Sequence, residues 1–218
     1  SEAKKPSIKS GTSCESCHGP SSDWLPIHDN YGGKDVKREQ EAPDHKEKRF
    51  ADSKNAGLIW PNMKYEIAEN CMTCHGLANP DLKADDLVKM LGAGHPINPN
   101  FELVRYSQGS VRHRHYPPDM KTNAEMSAME QAELYVIGQA AALVSASSVI
   151  SKSEEAKYKE AQGKRVEIAK SALSLIPESA GLLASPTREN AIKFVQSITG
   201  KDLTGAIGSK LPAKSDYK

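Results

Sequence analysis

The chain has 218 residues, of which 38% are hydrophobic and 6% aromatic, a thin supply of apolar side chains for a self-sufficient core of this length. With a formal net charge of +1, it carries no overall field that would draw it to nucleic acid or anionic lipid. No apolar run is expected to reach the roughly 18 residues of a membrane span; the richest, Leu134 to Val144, is interrupted by Gly138, Gln139 and alanines.

In chain order, residues 1–13 are polar and read as a loose lead-in. The opening at Ser1, without a start methionine or apolar leader, fits the mature form of an exported protein. CESCH at 14–18 follows, then Gly19-Pro20 and the apolar patch Trp24-Leu25-Pro26-Ile27 leading to His28. Residues 31–56 are dense in charges of both signs and read as a solvated excursion. Leu58-Ile59-Trp60 returns the chain to apolar surface just before CMTCH at 71–75.

Beyond the second motif, Asn79-Pro80 reads as a helix start, with Leu82, Leu87, Val88 and Leu91 on one face and Gly92 at the end. Residues 92–120 are rich in Gly, Pro, Asn and His and read as a loop wrapped around something. Three helices are then expected. Thr122-x-x-Glu125 reads as a capping box for the first, whose inward face would be Leu134, Ile137, Ala141 and Val144. Ser151-x-x-Glu154 would cap the second, with Val166, Ala169, Leu173 and Ile176 inward. Ser185-Pro186 would open the third, with Ala191, Val195 and Ile198 inward and Gly200 at its end. Strand-like alternation is nearly absent. The expected fold is mainly α, with little or no β-sheet: a loop-rich segment over 1–120 that carries both cysteine motifs and a cysteine-free helical segment over 121–218, packed together as one domain.

All four cysteines fall in two copies of one pattern, Cys14-x-x-Cys17-His18 and Cys71-x-x-Cys74-His75. Two thiols three positions apart can each add across a haem vinyl group, and the histidine that follows is then placed under the iron as an axial ligand. Each motif continues with glycine, Gly19 and Gly76, where a side chain would crowd the macrocycle. A zinc site of paired knuckles, a thioredoxin-like redox pair and two structural disulfides are the competing readings. The long interval between the pairs argues against zinc. No strand–helix alternation surrounds either motif, as a thioredoxin-like pair would require. None of the three accounts for a histidine immediately after each pair. The expected cofactors are therefore two covalently attached haem c groups. Their attachment implies maturation outside the inner membrane, and so a periplasmic or extracellular location.

Of seven histidines, five are left for the sixth iron positions. His28, fixed beside prolines, and His95, within Gly94-His95-Pro96, lead as ligands. His113 and His115 lie in Arg112-His113-Arg114-His115, for which an exposed basic cluster is the plainer reading. His45 lies in a charged run and reads as solvated. Methionine would raise the haem potential. Met63, Met90 and Met120 are conceivable ligands, while Met126 and Met129 have helical spacing and read as packing residues. Bis-histidine ligation at both irons, with comparatively low potentials, is the leading expectation. Which histidine serves which iron is left open.

Three segments resemble the multihaem c-type cytochromes related to cytochrome c-554: CESCHGPSSDWLPIH at 14–28, AGHPINPNFEL at 93–103 and VIGQAAAL at 136–143. The resemblance runs in order over about two thirds of the chain. It implies a mainly helical fold organised by closely spaced haems, electron transfer as the activity, and His28 and His95 as ligands. The sequence departs from that family where Pro117-Pro118 is followed by Asp119 rather than histidine, and in lacking any cysteine after Cys74.

The expected function is that of a dihaem electron carrier, meeting redox partner proteins through small transient contacts, with no catalytic residue. A haem enzyme acting as a peroxidase or small-oxyanion reductase, with Arg112, His113, Arg114 and His115 as acid–base groups, is the alternative. A third is a homo-oligomer or cytochrome assembly relaying electrons between chains.

Overall fold

The computed structural model describes residues 13–115 and 119–218; the lead-in over 1–12 and Pro117-Pro118 lie outside them. The protein is mainly α, with no strand among the described residues. The chain divides into two compact units, Ser1–Met63 and Lys64–Lys218. The division thus falls between the two motifs rather than near residue 121, because the helix carrying the second motif packs against the long helix of the C-terminal part.

Unit 1 contains α1 (Glu15–His18), α2 (Leu25–His28) and α3 (Pro43–Asn55). The charged stretch over 31–56 stays mostly exposed, as expected, but it also holds a helix with two buried positions, Arg49 and Ser53. Pro43 sits in the first turn of α3, and Arg49 is buried on that helix at 6% exposure. Its guanidinium grips the Glu41 carboxylate through two bonds of 2.7 and 2.6 Å and donates to the His28 carbonyl at 2.5 Å. One buried cation thereby joins the loop before α3 to the end of α2. Phe50 stacks on Trp60 with ring centroids 4.2 Å apart, and the Trp60 indole donates to the Phe50 carbonyl at 3.1 Å.

Unit 2 contains α4 (Lys64–His75), α5 (Ala84–Gly92), α6 (Leu103–Ser107), α7 (Ala128–Val149), α8 (Ala156–Leu173), α9 (Ala180–Ala184), α10 (Arg188–Ile198) and α11 (Thr204–Ile207). Its axis is α7, buried without a break from Ala132 to Leu143. Helices α4, α6, α8, α10 and α11 all pack against it. Contrary to expectation, α7 is long and apolar enough, by length and composition, to cross a membrane; 78% of its apolar window is buried inside the protein, as befits a core helix. Gly138 permits a close approach to α6, since a Cβ there would lie 3.1 Å from that of Leu103.

Every expected cap is displaced toward the C-terminus. The box at the start of α7 is Ser127 with Glu130, not Thr122 with Glu125, because the Thr122 side chain and amide are already bound to Asp119. Helix α8 is capped by Glu155, whose carboxylate accepts the Tyr158 amide at 2.6 Å, and α10 by Thr187, which accepts the Asn190 amide at 3.2 Å. Asn79 holds a turn by accepting the Asp81 amide, so α5 begins only at Ala84. The inward residues Leu134, Ile137, Ala141, Ala169, Leu173, Ile176, Ala191 and Ile198 are buried as their spacing requires, but Val88 is half exposed. Residues 92–120 also hold a short helix, α6, capped by the Glu102 carboxylate.

Ile137 is wholly buried on α7. Ile137→Ala should lower the unfolding free energy by about 2–5 kcal/mol, the usual loss for truncating a packed aliphatic side chain. Val88→Ala should stay within about 0.5 kcal/mol. Urea unfolding curves of the two variants check the contrast.

Candidate haem-attachment sites

An α-helix brings residues i, i+3 and i+4 to one face. Cys14, as the residue preceding α1, thus shares a face with Cys17 and His18, and Cys71 shares one with Cys74 and His75 at the end of α4. Cys14 and Cys74 are exposed, Cys17 and Cys71 half-buried, and neither pair is closed into a disulfide. Among the described residues, no group of three or more His, Cys, Asp or Glu side chains converges on a bare metal ion. Two thiols and an imidazole on one face instead suit a macrocycle, with two sulfurs at its rim and one nitrogen beneath its centre.

The glycine after each motif is required by the packing of the protein's own atoms. Gly19 has φ +80°, and a Cβ there would lie 2.8 Å from the Gly57 carbonyl oxygen. That close approach lets the Ile59 amide donate to the His18 carbonyl at 3.0 Å. At Gly76 a Cβ would meet the Met72 carbonyl and, at 2.9 Å, the Ser145 hydroxyl of α7.

The histidines are sorted by what their rings touch. Nδ1 of His18 lies 2.6 Å from the Ile59 carbonyl, Nδ1 of His28 2.8 Å from that of Leu25, and Nδ1 of His95 2.8 Å from that of Pro96. A carbonyl only accepts, so Nδ1 carries the proton and Nε2 the lone pair, the tautomer an iron ligand needs. Nδ1 of His113 makes the same kind of bond to Val111, at 2.9 Å, so this criterion does not separate His113 from the leading pair. His45 is not simply solvated, because its Nδ1 binds the Glu41 carboxylate at 2.8 Å. His75 keeps an exposed edge while stacking on Phe101, with centroids 3.8 Å apart and ring planes 11° from parallel. Desolvation and the nearby Arg165 charge both lower its pKa, favouring the neutral imidazole that can ligate a metal. His18 and His28 belong to unit 1; His75, His95, His113 and His115 belong to unit 2.

Large apolar side chains stand exposed close in sequence to the spare histidines. Leu25 is 54% exposed three residues before His28, Val88 is 50% exposed on the helix before His95, and Val111 is 39% exposed two residues before His113. Among the described residues of unit 1 only Trp24 and Leu58 are buried hydrophobics, whereas unit 2 holds both hydrophobic clusters. Small units with little apolar core commonly draw on a metal, a disulfide or another cross-link for stability. The donor set, the tautomers and the missing core all fit covalent haem.

The methionines fit less well. Met63 has its sulfur turned to the Trp60 amide at 3.4 Å, Met90 packs in the smaller cluster and Met120 is exposed. Met126 packs on the core, but Met129 is 39% exposed and is not a packing residue. The Arg112–His115 segment is not a plain basic cluster. Arg112 pairs with Glu125 at 3.4 Å and Arg114 with Glu130 at 2.8 Å, which ties the arginines to the start of α7.

Sequence reading missed the support behind the second motif. The last carbonyls of a helix have no partner within it. Those at the end of α4 and just beyond are met from α8. Arg165 donates to the His75 carbonyl at 2.9 Å, Gln162 to that of Gly76 at 2.7 Å, and the Tyr158 hydroxyl to that of Leu77 at 3.4 Å. Leu77, a non-glycine at φ 48°, turns the chain out of the helix, a conformation that costs roughly 1–2 kcal/mol in a residue with a side chain. Tyr158, Gln162 and Arg165 fall in register with the buried Ala169 and Leu173, so polar residues on an apolar stripe were the available signal. For the Arg49–Glu41 pair the sequence held no signal beyond a run of mixed charge.

Comparison with family models, with curated proteins and with solved structures returns no match.

The Glu41 side chain is enclosed, at 2% exposure. Its hydrogen bonds from Arg49, against the opposing effect of burial, bring the carboxyl from 4.5 to about 2. A carboxyl with a depressed folded-state pKa stabilises fully above its unfolded value and loses that contribution as the pH falls through the folded value. The stability advantage of the wild type over Glu41→Gln should therefore shrink as the pH falls from about 5 to 2. Urea titrations of both proteins across that range measure it, and an unchanged advantage at the acid end would contradict the pairing.

Proposed function

We propose that the chain is a dihaem c-type cytochrome, of the kind related to cytochrome c-554, that passes electrons between redox partner proteins in the periplasm or outside the cell. The observation that carries this reading is unit 1, which holds Cys14, Cys17 and His18 and in whose described residues Trp24 and Leu58 are the only buried hydrophobics and no hydrophobic cluster forms. An apolar prosthetic group joined at those thiols would supply the missing core.

Two bound haem c groups would supply one-electron iron couples. The chain's own part is to hold, orient and tune them. Cys14 and Cys17, and Cys71 and Cys74, would form the thioether links. His18 and His75 are the proximal ligands in this reading, and His28 and His95 lead as the distal ones. Backbone carbonyls hold the rings of His18, His28 and His95 in the ligating tautomer, and Phe101 fixes the plane of His75. Arg49, by holding the His28 carbonyl, is a positioning residue for that ligand. Ligation by histidine rather than methionine at both irons would keep the potentials comparatively low.

Protein matured in a host competent for haem attachment should, after denaturation in acidic organic solvent, have a polypeptide mass raised by two porphyrins. A mass without adducts would end the proposal. Low-temperature EPR of the holoprotein should show two low-spin irons, and a high-spin signal responsive to cyanide or carbon monoxide would shift the reading to an enzyme.

His28→Ala and His95→Ala should each convert one haem to the high-spin state while leaving the other low-spin. If either variant keeps both irons low-spin, that histidine is not a ligand, and His113→Ala becomes the next substitution to examine by the same spectra.

A further inference from the structure

Arg165 is the bulkiest of the fully buried side chains among the described residues, at 2% exposure, yet it has no carboxylate partner. Its Nη1 donates to the Gln162 side-chain oxygen at 2.5 Å, and its Nη2 to the carbonyls of His75 and Asn98 at 2.9 and 3.0 Å. All three acceptors are uncharged, and Nε is buried with no partner at all. Burial lowers the arginine's pKa, but a guanidinium remains charged in a protein. A buried cation without a counter-charge is costly and calls for an anion.

The same side chain lines a cleft of about 320 Å³ within unit 2, a volume at the small end of ligand sites. Two further cations, Arg105 and Lys210, line it. Arg105 also has a buried Nε without a partner, and its ion-pair partner, Asp216, is 3.9 Å away. Glu102 is the one acid on the lining, and both its oxygens are engaged by the Val104 and Arg105 amides at 2.7 and 2.8 Å. Three positive side chains thus face a space whose only carboxylate is already occupied as a helix cap.

We propose that this cleft seats an anionic oxygen group, a carboxylate or small oxyanion, with the guanidinium groups of Arg165 and Arg105 as its charged contacts. Planar guanidinium forks suit such groups, and Arg105 would complete a charge-assisted pair that surface lysines alone would not. Two sources share this chemistry. One is a diffusible oxyanion. The other is a propionate of the haem proposed at Cys71, Cys74 and His75, since Arg165 also holds the His75 carbonyl. Only the second source rests on the haem reading.

Titration calorimetry of the purified protein with inorganic phosphate, and separately with acetate, tests the first source. Saturable binding that weakens about tenfold or more in Arg105→Gln, a half-exposed position whose loss should leave the fold intact, assigns the seat to a free oxyanion. Arg165→Gln should abolish that binding. Arg165→Lys, which keeps a charge, should retain part of it and guards against a variant that fails to fold. If neither anion binds the wild type, potentiometry tests the second source. Arg105→Gln should then lower the midpoint potential of one haem and not the other, because removing a cation near a propionate favours the oxidised iron, and Arg105→Lys should restore it. Absence of anion binding together with unchanged potentials overturns the proposal. Protein that binds phosphate yet carries no porphyrin would retain this seat while losing the haem reading.

Discussion

Apolar side chain is the scarce material of this protein, and α7 concentrates it in one unbroken buried run. Its buried run from Ala132 to Leu143 lets α4, α6, α8, α10 and α11 share one axis, so unit 2 closes around a continuous core despite a composition only 38% hydrophobic. Small residues make this possible. Gly138 lets Leu103 of α6 come close to the α7 backbone, and the alanines of α7 are buried beside it, so that many small dispersion contacts stand in for fewer large side chains. Unit 1 receives almost none of this material, and what orders it within the chain is polar and aromatic: the Arg49–Glu41 fork, the Phe50–Trp60 stack and the carbonyl that receives His18.

That asymmetry bears on the proposed chemistry. In unit 2 the Cys-x-x-Cys-His face is presented by the end of a helix already fixed by packing, and α8 completes it. Arg165, Gln162 and Tyr158 satisfy the carbonyls of the three residues His75, Gly76 and Leu77 in succession. A positive group at a helix C-terminus also meets the favourable end of the helix dipole. The cysteine-free C-terminal helices are therefore the scaffold of the second motif and not a domain beside it. In unit 1 the motif sits on a single turn, and the prosthetic group in the proposed function would be a structural element as much as a redox centre.

Helix interiors were legible in the residues and helix ends were not. The period of Leu134, Ile137 and Ala141, or of Ala169, Leu173 and Ile176, reports a buried face directly, since only one set of positions can face a core at once. A cap is a choice between nearby polar residues with similar local chemistry. Thr122 was drawn into a turn by Asp119, and Ser127 took the cap instead; Asn79 was likewise held by the Asp81 amide. Charged residues misled for a related reason. Arg49 and Arg165 look like solvent residues in any composition count, and only the acceptors arranged around them by distant segments make their burial tolerable.

The sequence alone determined that the protein is helical and that each pair of cysteines shares a face with the histidine beside it, because both follow from the 3.6-residue turn and need no distant contact. It also identified His28 and His95 as histidines placed apart from the charged runs. The tertiary structure alone decided where the chain divides, which carbonyls set the imidazole tautomers, and that two arginines lie inside the protein. Several of those outcomes depend on groups tens of residues apart in the chain, Ile59 with His18, His28 with Arg49 and His75 with Arg165, and such pairings leave no periodic trace in a single sequence.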